Sequence, residues 1–200
     1  MNVLPLSRST NDRVIREKLR TELAGCTIIE ELGLCHGTVR VDMVVVDEQG
    51  HSMHGYELKS DLDTLKRLPE QMKVYNATLN RVTIVVGKTH LHEAVKQVPN
   101  WWGVMVAKIS NGTDEVSLFT LRHASDNPND KSSFYIAQLL WRNEALDILE
   151  ELETARGFRS KTREVIYRKL AEELTQQDLC ERVCARLTSR DGWRSVLQPS

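Results

Sequence analysis

Asp42 interrupts an apolar run, Val39-Arg-Val-Asp-Met-Val-Val-Val46, and Glu57-Leu58-Lys59 follows fifteen residues later. Gln71 and Tyr75 then stand four apart. Two carboxylates are able to hold a divalent cation, and a lysine beside them steadies a water and the charge that develops on phosphate. Asp…Glu-x-Lys is thus a minimal set for metal-assisted cleavage of a phosphodiester. Mg²⁺ suits it, because that ion takes a few oxygens and keeps several waters. Mn²⁺ is the expected substitute, and the Leu58 carbonyl is a candidate third ligand beside Asp42 and Glu57.

The elements that must position these groups are a hairpin and a helix. Val39–Val46 is short and β-branched, as strands are. Asp47-Glu-Gln-Gly50 makes a turn, and Met53–Lys59 returns. Side chains alternate along a strand, so Glu57 and Lys59 share one face and Arg40, Asp42 and Val44 another. If those faces coincide, two carboxylates and an amine meet at one edge of the sheet. Burying them together is costly without a compensating charge. An exposed ion pair explains a single Glu-x-Lys equally well. Two features favour a site: Asp42 stands where an apolar residue would be expected, and Lys59 leads directly into Ser60-Asp61-Leu62-Asp63. Sites in open α/β sheets gather at such strand ends.

In order along the chain, Arg40-Val-Asp42, Gly55-Tyr-Glu57-Leu-Lys59-Ser60-Asp61 and Gln71-x-x-x-Tyr75 resemble the PD-(D/E)XK nuclease superfamily. The Gln-x-x-x-Tyr helix is similar to that of its RecB-like branch. The run Glu57 to Val86, with Trp101-Trp102-Gly103, Leu140-Trp141-Arg142 and Gly157-x-x-Ser160-Lys161-x-Arg163, resembles a group of bacterial and phage proteins of that superfamily. The resemblance implies an α/β fold: a restriction-endonuclease-like mixed β-sheet flanked by helices. It implies Mg²⁺-dependent hydrolysis of DNA to 5′-phosphate and 3′-hydroxyl ends, with Asp42, Glu57, Lys59 and Gln71 catalytic. Gln71 and Tyr75 would approach the site and the strand being cut; Arg67 shares their helix face at spacing four and is a candidate nucleic-acid contact. The superfamily often carries a further acidic residue on its first helix. Asp12, Glu17 and Glu22 compete for that role here, and Glu30 or Glu31 could serve instead. The alternative is a nuclease-fold module that binds DNA or a protein partner with weak or no chemistry; a homo-oligomer is compatible with either. Repair, phage genome processing and defence all fit.

Bulk properties are those of an ordinary globular chain. Two hundred residues, 40% of them hydrophobic, suffice for one sizeable core and a small extra module. No run approaches the roughly 18 apolar residues of a membrane span. The first residues, Met-Asn-Val-Leu-Pro-Leu-Ser, lack the pattern of a signal peptide. Four widely placed cysteines suit reduced thiols, and a cytoplasmic setting is expected. The net charge of −1 gives no global argument for nucleic acid. Its distribution does. Residues 141–155 hold five acidic and one basic residue, whereas 156–194 hold ten basic and six acidic. Arg156, Arg159, Lys161 and Arg163 form the densest basic cluster, and Arg159, Lys161 and Arg163 are candidate phosphate contacts. Pairing with the acidic stretch 144–153 is the competing account.

The remaining elements follow from periodicity and punctuation. Thr10-Asn11-Asp12 is a capping signal for a helix to about Ala24, with Ile15, Leu19 and Leu23 on one face. Cys26–Gly33 and Val82–Val86 are strands. Leu68-Pro69 opens a helix to about Leu79, and Leu91–Gln97 is a short one. Gly103–Ile109 and Val116–Leu121 form a hairpin around Asn111-Gly112. A polar boundary at 124–130 separates a nuclease-like domain, 1–123, from a helical module, 131–196. That module is expected to hold one long helix over Ser132–Thr154 and shorter ones at Thr162–Glu173 and Gln177–Leu187. Of Trp101 and Trp102, alternation would put one on each face, with stacking on bases possible for the exposed one. His90 and His92 are expected on a surface loop, and Cys180 and Cys184 in the core.

Overall fold

A computed structural model describes residues 9–110 and 115–190. The expected turn at Asn111-Gly112, the first seven residues, and the end of the helical module beyond 190 lie outside them. A six-stranded sheet runs in sequence order: β1 (Thr27–Leu34), β2 (Val39–Val46), β3 (Met53–Lys59), β4 (Arg81–Gly87), β5 (Gly103–Ile109) and β6 (Val116–Arg122). β3, β4 and β5 are parallel neighbours, and the other pairs are antiparallel. The parallel steps need crossovers. α2 (Leu68–Thr78) links β3 to β4, and α3 (Leu91–Gln97) links β4 to β5. The mixed α/β sheet flanked by helices is as the sequence led one to expect.

α1 (Asp12–Glu22) begins at Asn11, whose side chain accepts the Val14 N–H at 3.1 Å. It lays Ile15 and Leu19 on one face of the sheet, against Met43, Tyr56, Leu58 and Val85. The opposite face is covered by α2, α3 and the C-terminal helices. Those are α4 (Ser133–Ala137), α5 (Arg142–Glu151), α6 (Arg163–Glu173) and α7 (Gln176–Ser189). Val41, Ile84, Tyr75, Ile148, Tyr167 and Val183 belong to one continuous apolar cluster. Each fully buried aliphatic side chain there contributes roughly 1.5–3 kcal/mol. The segment 124–130 is stitched to the sheet side as well: the Asn127 side-chain amide donates to the Asn76 and Leu79 carbonyls at 2.8 and 2.9 Å. The helices after residue 131 therefore share the core of the nuclease-like part.

Two expectations need correction. The single helix over Ser132–Thr154 is two, broken at 138–141. Tertiary bonds take the carbonyls that a continuous helix would use. The Tyr167 hydroxyl donates to the Leu140 carbonyl at 2.7 Å, and Arg190 Nη2 to the Leu139 carbonyl at 2.8 Å. The Trp141 N–H donates to the Glu144 carboxylate at 2.6 Å, which restarts the helix. Second, Trp101 and Trp102 do not alternate between faces. Both are buried, edge to face with centroids 6.0 Å apart, and the Trp102 indole N–H donates to Asn76 Oδ1 at 2.9 Å.

Candidate active site

The ladder between β2 and β3 runs from Val46↔Met53 to Met43↔Tyr56 and stops there. Asp42 and Glu57 come next in register and do not pair. Asp42 Oδ2 instead accepts the Leu58 N–H at 2.7 Å. A carboxylate has replaced a backbone carbonyl, and the strands part around it. A matching irregularity lies on β1, where Glu30 and Leu32 pair with β2 and Glu31, at φ +52°, does not. Side-chain alternation slips at both positions: Val41 and Val44 face the same cluster, while Met43 faces the other. The slip leaves Asp42 at a fork between the two layers.

Glu57 lies on the α2 side of that fork, 1% exposed, with Lys59 beside it at 5%. Glu57 Oε1 accepts from Lys59 Nζ at 2.5 Å and from Gln71 Nε2 at 2.7 Å. Glu57 Oε2 accepts from the Tyr75 hydroxyl at 2.5 Å, and that hydroxyl is also 2.8 Å from the Arg40 carbonyl. Tyr75 is itself fully buried, so it orients Glu57 and presents no surface to a nucleic-acid strand. The expected Tyr75–strand contact is corrected accordingly. Burial first, and then the charge of Glu57, raises the Tyr75 hydroxyl pKa far above the ordinary phenol value. It remains a donor.

Asp42, Glu57, Leu58, Lys59, Arg67 and Gln71 all line one cavity of about 770 Å³. From α1, Arg16 reaches into it. Its guanidinium meets Asp42 Oδ1 at 3.0 Å, Glu31 at 2.9 Å and Asp12 at 3.2 Å, and donates to the Asp42 carbonyl at 3.1 Å. Of the acids in competition for an accessory role, Asp12 and Glu31 line the cavity. Glu17 pairs with Arg13 on the exposed side of α1, Glu30 is held by Arg20, and Glu22 lines a different cavity. Arg16 was not singled out from sequence. Its signal was faint: a basic residue one turn after Asp12, next to the core-facing Ile15.

Burial first, and then the neighbouring charge of Glu57, pushes Asp42 up to about 7, against the pull of the Leu58 N–H, Arg16 and Lys59. Two carboxylates in one low-dielectric cavity repel, and a divalent cation relieves that repulsion. Gln71 adds a second sign of fit. Its Oε1 is buried and has no hydrogen-bond partner. An acceptor left unpaired in this way suits a water from a cation's shell. Among the described residues no three His, Cys, Asp or Glu side chains converge as a metal cluster. The Asp42 and Glu57 carboxylates and the backbone of Leu58, with Asp12 and Glu31 also on the cavity wall, form a donor set for an ion that retains its waters.

A family described as "Bacteriophage P4 protein cII" matches residues 12–196. The chain belongs to this family. Protein cII of Enterobacteria phage P4 is 27% identical over 129 residues, 64% of this chain and 47% of that protein. The chain thus spans about half the length of the curated relative it matches. A solved structure of SPO1766, a protein of unknown function from Silicibacter pomeroyi, aligns with TM-score 0.42 and 17% identity, covering 75% of this chain and 91% of that one.

In this member of the cII family the other expected contacts scatter. Arg67 stands exposed at the start of α2 and lines the Asp42–Glu57 cavity. Arg159 and Lys161 lie exposed in the connection between α5 and α6, and Arg163 opens α6, all away from that cavity. Arg159 pairs with Glu150 at 2.9 Å. Two further acids of that stretch are met from α7 and its end: Glu151 by Arg182 and Arg186, and Glu144 by Arg190. His90 lies on the surface with Nε2 3.0 Å from the Asp63 carbonyl, and His92 is exposed. Cys180 and Cys184 are buried and all four cysteines are free. Among the described residues no helix is long and apolar enough to cross a membrane.

Proposed function

We propose that this chain is a metal-dependent nuclease of the PD-(D/E)XK kind, hydrolysing phosphodiester bonds of DNA in a cavity built from β2, β3 and α2. The observation that carries the reading is the convergence of Asp42, Glu57, Lys59 and Gln71 on one cavity, with a buried tyrosine fixing Glu57 from behind. Asp42 and Glu57 are the residues that would hold Mg²⁺ or Mn²⁺, with the Leu58 carbonyl beside them. A cation so held supplies polarisation of a phosphoryl oxygen and a lowered pKa for bound water. Lys59 is placed to orient the attacking water and to offset the negative charge that grows on the phosphorus centre. Gln71 is anchored through Nε2 to Glu57, which leaves its Oε1 to hold a water in line. Tyr75 keeps the Glu57 carboxylate in one rotamer.

The test is a Mg²⁺- and Mn²⁺-dependent cleavage assay across single-stranded, duplex, nicked and branched DNA, with RNA alongside. Asp42→Ala and Glu57→Ala should abolish cleavage while the circular dichroism spectrum is kept. Lys59→Ala should lower turnover at saturating substrate by at least ~10²-fold with little change in DNA affinity. An Asp42→Ala protein as active as the parent would sink the assignment. Metal-independent DNA or protein binding with no cleavage at all would point to a binding module on the same fold.

A further inference from the structure

The break between α4 and α5 opens a second cavity of about 560 Å³, lined by Gln138, Trp141, Arg142, Arg163, His36 and Gly37 among others. Gly37 also lines the catalytic cavity. It crowns the tight turn from β1 to β2, at φ +81° with open space where a Cβ would stand. The two cavities therefore adjoin across one bare backbone crest.

The chemistry of the second cavity is specific. Trp141 is 56% exposed, unusual for so large an apolar group. One face of its indole is covered by the Arg190 guanidinium at 4.3 Å from the ring centroid. That guanidinium is itself neutralised by Glu144, with contacts of 2.6 and 2.8 Å. The ring thus keeps an open face. Gln138 is 9% exposed, and its Oε1 is buried without a hydrogen-bond partner. Trp141 is the N-cap of α5, and Arg163 is the first residue of α6. Two helix N-termini meet at the cavity with Arg142, Arg163 and His36 around them, a setting that attracts anions. Arg142 is partly spent on the backbone carbonyls of Arg159 and Lys161. Arg163 projects from an exposed position at the rim. A flat π face, an orphaned amide and a cation together fit one unpaired nucleotide: its base on Trp141, its polar edge or sugar on Gln138, its phosphate on Arg163.

We propose that this cavity is a subsite for an unpaired nucleotide of the strand that leaves the catalytic cavity over Gly37, so that the chain selects single-stranded or frayed DNA. The proposal deepens the nuclease reading and rests on it for the link between the two cavities. Duplex bases are already stacked and cannot offer a face to Trp141, whereas base–aromatic stacking tolerates any sequence.

The experiment is fluorescence anisotropy with the full chain in EDTA, using a labelled oligothymidylate of about a dozen nucleotides and a duplex of equal length. Trp141→Ala removes the stacking face but keeps the helix cap, which runs through the backbone N–H. It should weaken oligothymidylate binding by about 5- to 100-fold, the range for one stacked base, and duplex binding by less than about threefold. Arg163→Gln should weaken the single strand and lessen its salt dependence by about one unit of slope. Trp141→Phe should recover most of the affinity, which guards against a folding artefact. The inference is overturned if Trp141→Ala leaves oligothymidylate binding within twofold, if the single strand does not bind, or if oligoglutamate of matched charge competes as well as the oligonucleotide. Binding in EDTA needs no chemistry. Trp141-dependent binding without cleavage in Mg²⁺ would remove only the nuclease reading. Cleavage with an unchanged KM in Trp141→Ala would remove only the subsite.

Discussion

Three donors, from Lys59, Gln71 and Tyr75, converge on the two oxygens of the buried Glu57 carboxylate. Charge-assisted bonds of this kind offset desolvation only when every partner is present. Tyr75→Phe removes one partner and leaves both Glu57 Oε2 and the Arg40 carbonyl short of a donor. The expected cost is about 1–3 kcal/mol in urea unfolding. In the nuclease reading kcat should also fall by ~10-fold or more with KM nearly unchanged, because a mispositioned ligand harms the reaction more than binding. A Tyr75→Phe protein of unaltered stability and rate would show that the hydroxyl is idle. Arg16 supplies the opposite experiment. It stands among Asp12, Glu31 and Asp42, where it relieves their mutual repulsion. Arg16→Ala should lower the melting temperature in EDTA, and Mg²⁺ should then raise it by more than in the parent, since linkage grows with affinity for the cation. An equal Mg²⁺ gain in both proteins would mean that Arg16 and the cation do not act on the same charges.

At the scale of elements, β3 carries a half-buried titratable group outside the site. The His54 ring stacks on Tyr56 at 4.4 Å, and its Nε2 lies 2.8 Å from Thr83 Oγ1. Burial first, and then the charge of Arg81, lowers its pKa from 6.5 to about 4. Above the unfolded value both states are neutral and the group does not affect the balance. As pH falls from about 6.5 toward 4 the unfolded chain takes up a proton that the folded chain refuses, so stability is lost across that window, by up to about 3 kcal/mol near pH 4. His54→Gln should flatten that part of the stability–pH curve; an unchanged slope would refute the assignment. The strands and helices around this position were legible in the sequence, because β-branched runs, the Thr10-Asn11-Asp12 capping signal and Pro69 act locally. The Asp42–Glu57–Lys59 trio stood out for the same reason, as a period-two pattern with charges where apolar residues belong. The slip at Glu31 and Asp42 was not, since it arises when one carboxylate replaces a ladder bond across strands. The break at 138–141 was hidden too. No Gly or Pro marks it, and the groups that hold it open, Tyr167 and Arg190, are distant in sequence. Local rules failed at the two places where the cavities lie, as they do where structure serves a site.

The whole molecule has to keep those two cavities in a fixed relation. The β1–β2 turn forms one wall of each, while the second cavity's other wall is made of the α4–α5 break, the first turns of α5 and α6, and Arg190 at the end of α7. If the helices were a loosely tethered module, their distance from Asp42 and Glu57 would vary and a strand could not be held across both. One apolar cluster, running from Val41 and Ile84 through Tyr75 to Ile148, Tyr167 and Val183, removes that freedom. Bonds at the seam reinforce it: the Ser132 N–H donates to the Ala77 carbonyl at 2.8 Å, and the Asn127 N–H to the Asn80 carbonyl at 2.8 Å. A shared core predicts one cooperative transition. Urea unfolding followed by far-UV circular dichroism, which is weighted toward the helices, should coincide with near-UV dichroism of the buried Trp101–Trp102 pair beneath the sheet. The Val183→Ala variant, a cavity in α7 far from either tryptophan in sequence, should shift both curves to lower urea together, by about 1–3 kcal/mol. Two separated transitions, or a shift of the dichroism at helical wavelengths alone, would show that the C-terminal helices fold on their own. The geometry between the cavities would then be set by a hinge, and a strand spanning them would have to close it on binding.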